Sequence, residues 1–424
     1  MKEYITRIAD TLLDDKLKAK GAVLIEGPKW CGKTTTAAQK ANSILRMDSP
    51  SEIKQNLSLA EINPQMLLEG KTPRLIDEWQ IAPTLWDSVR YEVDERSTVG
   101  QFILTGSSVP PDTDTIMHSG AGRFSWLKMR TMSLFESKES CGAVSLGEIF
   151  NGNINIEGKN NISMDELAFI TCRGGWPGSL DLSEKSSLAQ AFDYIEAITK
   201  SDISRVDSSI KDQERIMRIM RSLARNQGAQ ISYTAIASDI IANDIKTINE
   251  DTVKKYINAL KKIFVSDDIC AWNPNLRSKA AIRTTDTRYF TDPSIATASL
   301  GLGPRDLIND LNTFGLIFET LCMRDLRVYA DSLYGNVYHY RDNTGLECDA
   351  VIHLRNGFYG LIEIKLGGES AIEEGAENLK KLRDRIDTSK MKDPSFLMVL
   401  IGVGTYAYIR HDGIMVVPIG CLRN

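Results

Sequence analysis

Short apolar runs alternate with helical stretches between residues 21 and 150. The runs AVLIE (22–26), RLID (74–77) and FILTG (102–106) have the length and the aliphatic content of buried strands. Stretches such as TTTAAQKA (34–41) lie between them and have a helical pattern. This alternation predicts parallel strands joined by helical crossovers, and therefore an α/β fold.

The pattern changes further along the chain. Residues 211–272 predict three helices followed by a hairpin. From about residue 285 a helical stretch (306–331) is followed by several strands, which again predicts an α/β arrangement. A chain of 424 residues exceeds what one hydrophobic core usually supports, so we expect more than one domain.

Composition narrows the class of protein. The chain has 51 Lys and Arg against 56 Asp and Glu, a net charge of −5, which argues against a surface coated with nucleic acid. Its seven cysteines include no CxxC pair and indicate neither a zinc site nor a disulfide framework. No signal-peptide core is evident, and no apolar run approaches the roughly 18 residues that a membrane span needs. We expect a soluble, cytoplasmic protein with no membrane partner.

The strongest motif follows the first apolar run. Residues 27–34 (GPKWCGKT) fit the phosphate-loop pattern GxxxxGK[ST] at every specified position, between a strand and a helix. The glycines let backbone N–H groups surround phosphate oxygens at a helix N-terminus. We expect Lys33 to reach the β- and γ-phosphates and Thr34 to ligate Mg²⁺. The predicted nucleotide-binding residues are Gly27, Pro28, Lys29, Trp30, Cys31, Gly32, Lys33, Thr34 and Thr35.

The run RLIDEW (74–79) ends in two carboxylates of the Walker B type. Asp77 would lie beside the Mg²⁺ ion, and Glu78 would orient or deprotonate an attacking water. The next run ends in small polar residues (105–108), which either sense the γ-phosphate or cap a turn. No guanine-reading NKxD motif follows, so we expect ATP rather than GTP.

Two arginines are candidates for stabilising the transition state of phosphoryl transfer. Arg96 and Arg123 would act either in cis or from a neighbouring subunit, and the second case requires a homo-oligomer. The alternative, that each is a solvated surface residue, stays open.

The stretch LIEIKL (361–366) predicts a strand on which Glu363 and Lys365 share one face. Upstream, Asn-Gly (356–357) between two apolar runs is a strong hairpin signal. It predicts that this strand pairs with a strand starting near Asp349. The exact register of the pairing cannot be read from the sequence.

Carboxylates from three segments are therefore candidates for one metal site. Glu319, in a helical stretch, would join Asp349 and Glu363 as ligands of Mg²⁺. Lys365 would steady the attacking water or help to deprotonate it during hydrolysis of a phosphodiester. A Glu363–Lys365 ion pair with a purely structural role is the alternative.

The middle of the chain has a modest basic bias. Residues 201–290 contain 15 Lys and Arg against 11 Asp and Glu. The order of predicted elements resembles a winged helix-turn-helix, whose third helix would enter a major groove. The candidate phosphate contacts are Lys254, Lys255, Lys261 and Lys262. DNA is therefore a candidate partner, and a packing or protein-binding module is the alternative.

Several motifs together resemble one family. GPKWCGKTT (27–35), LIDEWQ (75–80), FILTGSS (102–108) and RGGWPGSL (173–180) resemble the AAA-type core of prokaryotic ATP-binding proteins whose C-terminal half is a domain of unknown function. The resemblance covers most of the chain. It implies an ATPase fold, a helical lid and a C-terminal half with a nuclease-like core.

The C-terminal charged residues resemble the restriction-endonuclease-like core, PD-(D/E)xK. Asp349, Glu363 and Lys365 fit the spacing Asp-x(13)-Glu-x-Lys, with Glu319 upstream. The proline that usually precedes the aspartate is absent, because the chain reads Glu-Cys-Asp at 347–349. The acids and the lysine are kept, but domains of this kind also bind nucleic acid without cutting it.

These observations predict four segments and one combined function. The segments are an AAA-type P-loop ATPase domain (1–155), a helical lid (156–210), a winged-helix-like domain (211–284) and a nuclease-like α/β domain (285–424). The predicted catalytic residues are Lys33, Glu78, Arg123, Asp349, Glu363 and Lys365, and the predicted metal ligands are Thr34, Asp77, Glu319, Asp349 and Glu363. We expect ATP hydrolysis with Mg²⁺, coupled to action on DNA.

Two other functions compete with this interpretation. A nucleotide-dependent switch or scaffold would hold ATP, and its C-terminal domain would bind protein or DNA without cutting. A small-molecule kinase would explain the phosphate loop but leave the C-terminal half without a role.

Overall fold

The computed structural model describes residues 3–424 except 109–118, 155, 208, 211, 243–247 and 275–285. The strands are β1 (Ala22–Glu26), β2 (Ser43–Arg46), β3 (Arg74–Asp77), β4 (Phe102–Gly106), β5 (Phe124–Lys128), β6 (Val144–Ser145), β7 (Gly158–Lys159), β8 (Gly335–Arg341), β9 (Glu347–Leu354), β10 (Tyr359–Lys365), β11 (Phe396–Ile401), β12 (Tyr406–Ile409), β13 (Met415–Pro418) and β14 (Leu422–Arg423).

The α-helices are α1 (Ile8–Ala19), α2 (Lys33–Lys40), α3 (Ile53–Ile62), α4 (Gln65–Leu68), α5 (Leu85–Arg96), α6 (Leu146–Phe150), α7 (Met164–Arg173), α8 (Glu184–Ala197), α9 (Ile203–Val206), α10 (Gln213–Arg225), α11 (Tyr233–Ala242), α12 (Glu250–Lys262), α13 (Pro293–Leu300), α14 (Pro304–Asn309), α15 (Leu311–Ser332) and α16 (Glu369–Arg385). None of the helices in the described ranges is both long enough and apolar enough to cross a membrane.

The chain folds into two compact units. The first contains residues Met1–Thr131, Lys200–Lys211 and Ala259–Phe264, and the second contains Met132–Thr199, Asp212–Asn258 and Val265–Asn424. Residues 132–155, which the sequence assigns to the ATPase domain, thus belong to the second unit. The division of the chain into four functional segments stays a prediction.

The first unit is built on a parallel sheet. Its strand order is β2-β3-β4-β1-β5, and every neighbouring pair is parallel. Alternate residues of β1 pack on opposite faces: Ala22 and Leu24 lie against a core that includes α5, and Val23 and Ile25 lie against α1 and α2. The predicted α/β fold is confirmed here. Because the strands are parallel, the carboxyl ends of β1, β3 and β4 meet at one edge of the sheet.

The second unit contains a larger, mixed sheet in the order β7-β12-β13-β11-β10-β9-β8. Strands β8, β9 and β10 form an antiparallel meander, and β10 then pairs in parallel with β11 after the crossover helix α16. Helix α16 packs on one face through its apolar residues, and α15 packs against β8, β9 and β10. The hairpin predicted around Asn-Gly is confirmed, with Leu361 of β10 opposite Val351 of β9.

Three helices are present where the middle segment predicts them. Helix α10 buries one apolar face, including Ile219 and Met220, and packs on α13. The predicted hairpin is represented by two antiparallel bridges, Ser266 with Phe290 and Ile269 with Thr287. The stretch between these bridges lies partly outside the described residues, so the winged-helix interpretation stays a prediction.

A buried charge network holds part of the second unit together. The guanidinium of Arg324 on α15 donates to Asp325 at 2.8 Å and to Asp292 at 3.3 Å. The same two carboxylates accept backbone N–H groups, Asp325 from Leu134 and Asp292 from Gly175. All three charged side chains are almost completely buried. Removing one of these three side chains therefore leaves a buried charge without its counter-charge.

The substitution Asp325→Ala tests this network. It deprives the Arg324 guanidinium of its nearest carboxylate and the Leu134 amide of its acceptor, so we expect the free energy of unfolding to fall by about 3 to 5 kcal/mol. Urea titration followed by circular dichroism measures the change. Asp387→Ala, which removes an exposed partner of Lys390, is the control and should cost less than about 0.5 kcal/mol. Equal losses in both variants would contradict a structural role for the network.

Candidate functional site

The loop after β1 has the backbone that a phosphate-binding loop needs. Gly27 has φ of 154°, and a Cβ atom there would lie 2.0 Å from the carbonyl oxygen of Met129. Gly32 has φ of 100° and directly precedes α2. Only glycine fits these two positions without strain, and the resulting turn aims N–H groups at the start of the helix.

Lys33 and Thr34 are the first two residues of α2, directly after the loop. The buried Lys33 ammonium donates to the carbonyl oxygens of Gly27 at 2.8 Å and Pro28 at 2.7 Å. The Thr34 hydroxyl donates to Oδ1 of Asp77 at 2.7 Å, and the Thr105 hydroxyl of β4 donates to the same oxygen at 2.5 Å. A hydroxyl and a carboxylate oxygen so placed are hard donors of the kind that Mg²⁺ prefers.

Glu78 is held in a defined orientation directly after β3. Its backbone is left-handed, with φ of 56°, which is uncommon for a non-glycine residue. The Gln80 amide and the Ser107 hydroxyl both donate to Oε2 of its carboxylate. Burial raises the pKa of Glu78 above its ordinary value, although the Gln80 hydrogen bond and Lys33 act in the opposite direction. The carboxylate is therefore oriented and more basic than usual.

Several residues that support the loop were not indicated by any sequence motif. The buried Arg7 guanidinium donates to the carbonyl oxygens of Cys31 at 2.9 Å and Arg130 at 3.0 Å. Tyr4 donates to Asp10 at 2.8 Å and lies 2.9 Å from the hydroxyl of Thr36 on α2. These contacts join residues far apart in the chain, so neither spacing nor periodicity reveals them.

The structure does not bring the two candidate arginines to the phosphate loop of their own chain. Arg123 precedes β5, its carbonyl accepts from Ala22 at the amino-terminal end of β1, and its guanidinium pairs with Asp94 at 2.7 Å. Arg96 lies over the ring of Phe102, at the amino-terminal end of β4. The loop follows the other end of β1, which is roughly 16 Å away for a five-residue strand. For both arginines a role in phosphoryl transfer, in cis or from a neighbouring subunit, stays a prediction.

The C-terminal candidates come together at the β9–β10 hairpin and α15. The Ile364 amide of β10 donates to Asp349 at 2.7 Å, which places that carboxylate beside the strand of Glu363 and Lys365. The Lys365 ammonium lies 3.0 Å from Oε2 of Glu363. Glu319 of α15 accepts a hydrogen bond from the buried hydroxyl of Tyr289, a residue that no motif indicated.

Glu319, Asp349 and Glu363 are buried carboxylates that lie close enough to repel one another. Burial and Asp349 raise the pKa of Glu319 to about 8. Burial and Asp349 also raise the pKa of Glu363 well above its ordinary value. Burial lowers the pKa of Lys365, but Glu363 and Asp349 outweigh it and the net shift is upward. A cation is favoured here, because it offsets the mutual repulsion of the carboxylates.

The metal ligands predicted in this region are near one another, but they do not form a complete coordination site. Among the described residues, no group of three or more His, Cys, Asp or Glu side chains is arranged to hold a metal ion. Mg²⁺ is usually bound by one or two carboxylates together with waters and substrate phosphates, so a closed protein cage is not required. The metal-binding roles of Glu319, Asp349 and Glu363 stay predictions.

Three family matches cover most of the chain. Residues 19–138 match the family described as AAA domain. The N-terminal part of this chain is an AAA domain. It is an ATP-binding ATPase module of the P-loop class, as the sequence predicts. Residues 164–306 match a domain of unknown function (DUF8612), and residues 314–422 match another (DUF4143).

The relatives extend the similarity beyond the AAA domain. Uncharacterized protein Rv2008c of Mycobacterium tuberculosis is 24% identical over 347 residues, which is 81% of this chain and 70% of that protein. Uncharacterized protein Mb2031c of Mycobacterium bovis has the same identity and coverage. Their names state no activity.

Solved structures give weaker similarities. A Walker-type ATPase of Pyrococcus abyssi is 13% identical with a TM-score of 0.40, covering 69% of this chain and 94% of that one. A RuvB variant of Thermotoga maritima is 17% identical with a TM-score of 0.27, covering 61% and 88%. Scores this low support no conclusion.

Nucleotide binding by the AAA domain can be tested with Lys33→Ala. The substitution removes a charge-assisted contact to phosphate, so we expect ATP affinity to fall about 10- to 100-fold. Titration with a fluorescent ATP analogue measures it. Lys40→Ala, on the same helix and paired with Asp14, should bind like the wild type. Unchanged affinity in Lys33→Ala would exclude this loop as the phosphate site.

Proposed function

We propose that this protein is a Mg²⁺-dependent ATPase whose AAA domain controls a nuclease-like C-terminal domain that acts on DNA. The observation that carries the first half is the contact of Thr34 with Asp77, with Glu78 next in the chain. It brings together, at the carboxyl edge of one sheet, a hydroxyl and a carboxylate suited to bind Mg²⁺ and a second carboxylate suited to act as a base.

Each of these residues has a distinct task in the proposal. The loop N–H groups and Lys33 bind the phosphates, and Thr34 and Asp77 hold Mg²⁺, which supplies charge neutralisation when bound. Glu78 accepts the proton of the attacking water, a role that suits a carboxylate whose pKa is raised by burial. Gln80 and Ser107 keep its oxygen oriented.

The fold of the C-terminal part supports the second half of the proposal. The order α15, β8, β9, β10, α16, β11 combines an antiparallel three-strand meander with a parallel fourth strand across a helix. The resemblance to a restriction-endonuclease-like core predicts such a core, with Glu319 on the helix, Asp349 on the second strand and Glu363 and Lys365 on the third. Side chains from these elements lie within electrostatic reach of one another.

The chemistry of this group suits a phosphodiester. Glu319, Asp349 and Glu363 offer the oxygen ligands that Mg²⁺ takes together with substrate phosphates. Lys365 would orient the attacking water and stabilise negative charge as it develops. Lysines exposed on α12, including Lys254 and Lys262, would contribute non-specific contacts to the DNA backbone.

Two observations favour the rival, a nucleotide-dependent switch with a non-cutting C-terminal domain. Lys365 already neutralises Glu363, and no three acidic, His or Cys side chains of the described part form a metal cage. In that case the charged group would serve structure or DNA binding alone. ATP would then set the conformation of the protein without any cleavage.

ATP hydrolysis is tested by Glu78→Gln. The amide keeps the shape of the side chain and cannot accept the proton, so we expect kcat to fall on the order of 100-fold or more while ATP binding is kept. Phosphate release with and without DNA measures the rate. Glu95→Gln, at an exposed position of α5, is a control that should keep wild-type turnover. Full activity in Glu78→Gln would reject Glu78 as the base.

Metal-dependent cleavage is tested by Asp349→Asn and Lys365→Ala. Loss of a ligand or of the positive charge removes several kcal/mol of stabilisation, so we expect DNA cleavage with Mg²⁺ or Mn²⁺ to fall on the order of 100-fold. Calorimetric Mn²⁺ titration should show weaker binding in Asp349→Asn and unchanged binding in the exposed-site control Asp384→Asn. Absence of both cleavage and Mn²⁺ binding in the wild type would support the rival switch.

A further inference from the structure

Two cysteine side chains meet within the second unit. The Cys141 amide donates to the carbonyl oxygen of Gly420 at 2.8 Å, which places Cys141 beside the residues that lead into β14. Shortly afterwards β6 and β14 pair in parallel, with Val144 opposite Leu422. The two thiols are near enough for Cys141 to raise the pKa of Cys421. Backbone pairing on both sides therefore holds the two sulfurs near each other.

Strand β7 packs against both thiols. Sγ of Cys141 donates to the carbonyl oxygen of Lys159 at 3.6 Å. A Cβ atom at Gly158 would lie 3.3 Å from Sγ of Cys421. The sulfurs thus lie against consecutive residues of one strand, which limits how far either can turn away from the other.

The two thiols differ in their access to solvent. Cys141 is exposed, whereas Cys421 is completely buried. Burial and the neighbouring Cys141 raise the pKa of the Cys421 thiol to about 12. An oxidant in solution therefore reaches Cys141 first, and Cys421 is a neighbouring thiol that stays protonated. This is the arrangement of an attacking and a resolving cysteine.

We propose that Cys141 and Cys421 are an oxidation site at which a peroxide produces a reversible disulfide. Cys141 loses its thiol proton, and the thiolate attacks hydrogen peroxide: the S–O bond forms, the O–O bond breaks, and the departing hydroxide takes up that proton and leaves as water. Sγ of Cys421 then attacks the resulting sulfenic acid; the S–S bond forms, the S–O bond breaks, and the Cys421 proton leaves with hydroxide as a second water. Two thiols lose two electrons, and the peroxide gains them. A dithiol reductant reverses the reaction by exchange.

The bond would fasten β14 to the segment before β6. At present that attachment includes the hydrogen bonds that Leu422 accepts from Ser140 at 2.7 Å and that Gly420 accepts from Cys141 at 2.8 Å. A covalent link across a long loop restricts the unfolded chain more than the folded one. The oxidised protein should therefore resist urea better than the reduced protein. This inference does not depend on the proposed ATPase or nuclease activity.

Peroxide treatment of the folded full-length protein, followed by thiol counting and peptide mapping, tests the proposal. The wild type has seven cysteines, and we expect the titratable thiols to fall by two. Mass spectrometry should identify one linked peptide pair that contains Cys141 and Cys421. A dithiol reductant should restore both thiols, and the urea midpoint should rise on oxidation and return on reduction.

Single variants supply the controls. In Cys141→Ser and in Cys421→Ser neither the linked pair nor the shift of the urea midpoint should appear. Cys270→Ser, which changes another exposed cysteine, should behave like the wild type. Circular dichroism checks that each variant is folded. Seven thiols remaining in treated wild type, a bond to any other cysteine, or over-oxidised Cys141 with an intact Cys421 thiol would overturn the proposal, and each result is read from the wild type alone.

Discussion

The carboxylate of Asp77 is the point on which the nucleotide-binding half depends. It is almost completely buried, and a buried charge is tolerated only where donors satisfy it. Thr34 donates from the start of α2, and Thr105 donates from β4, where it is the direct register partner of Asp77. One side chain therefore ties a helix and two strands together. The sheet order, with β4 between β1 and β3, makes this contact available.

The charged group of the second unit differs from the Asp77 site, because several buried carboxylates lie close together. In the first unit one acid is satisfied by neutral hydroxyls, whereas in the second Glu319, Asp349 and Glu363 repel one another and are only partly compensated by Lys365 and Tyr289. Carboxylates this close together lower the stability of the folded protein unless a bound cation or ligand offsets their repulsion. Both units gather charged side chains near the ends of paired strands.

Local spacing explains which features could be predicted from the sequence. The phosphate loop is eight consecutive residues, and the β9–β10 hairpin follows from an Asn-Gly turn, so local sequence predicts both. Contacts that depend on the topology of the sheets cannot be predicted in this way. Arg123 lies at the wrong edge of the sheet because the direction of β5 decides its place, and the pairing of β6 with β14 joins segments about 280 residues apart. Tyr289 lies in no quoted motif, and the motif LIDEWQ, which contains Gln80, does not indicate the contact that Gln80 makes with Glu78.

The contacts made by Arg7 have a consequence for the limits of the domain. The family match begins at residue 19, yet the guanidinium that supports the loop carbonyls lies twelve residues earlier, in front of α1. The segment that matches the family is thus shorter than the segment that supports the phosphate loop. A fragment that begins at residue 19 would keep every residue of the phosphate-loop motif and lose the Arg7 side chain that supports the loop.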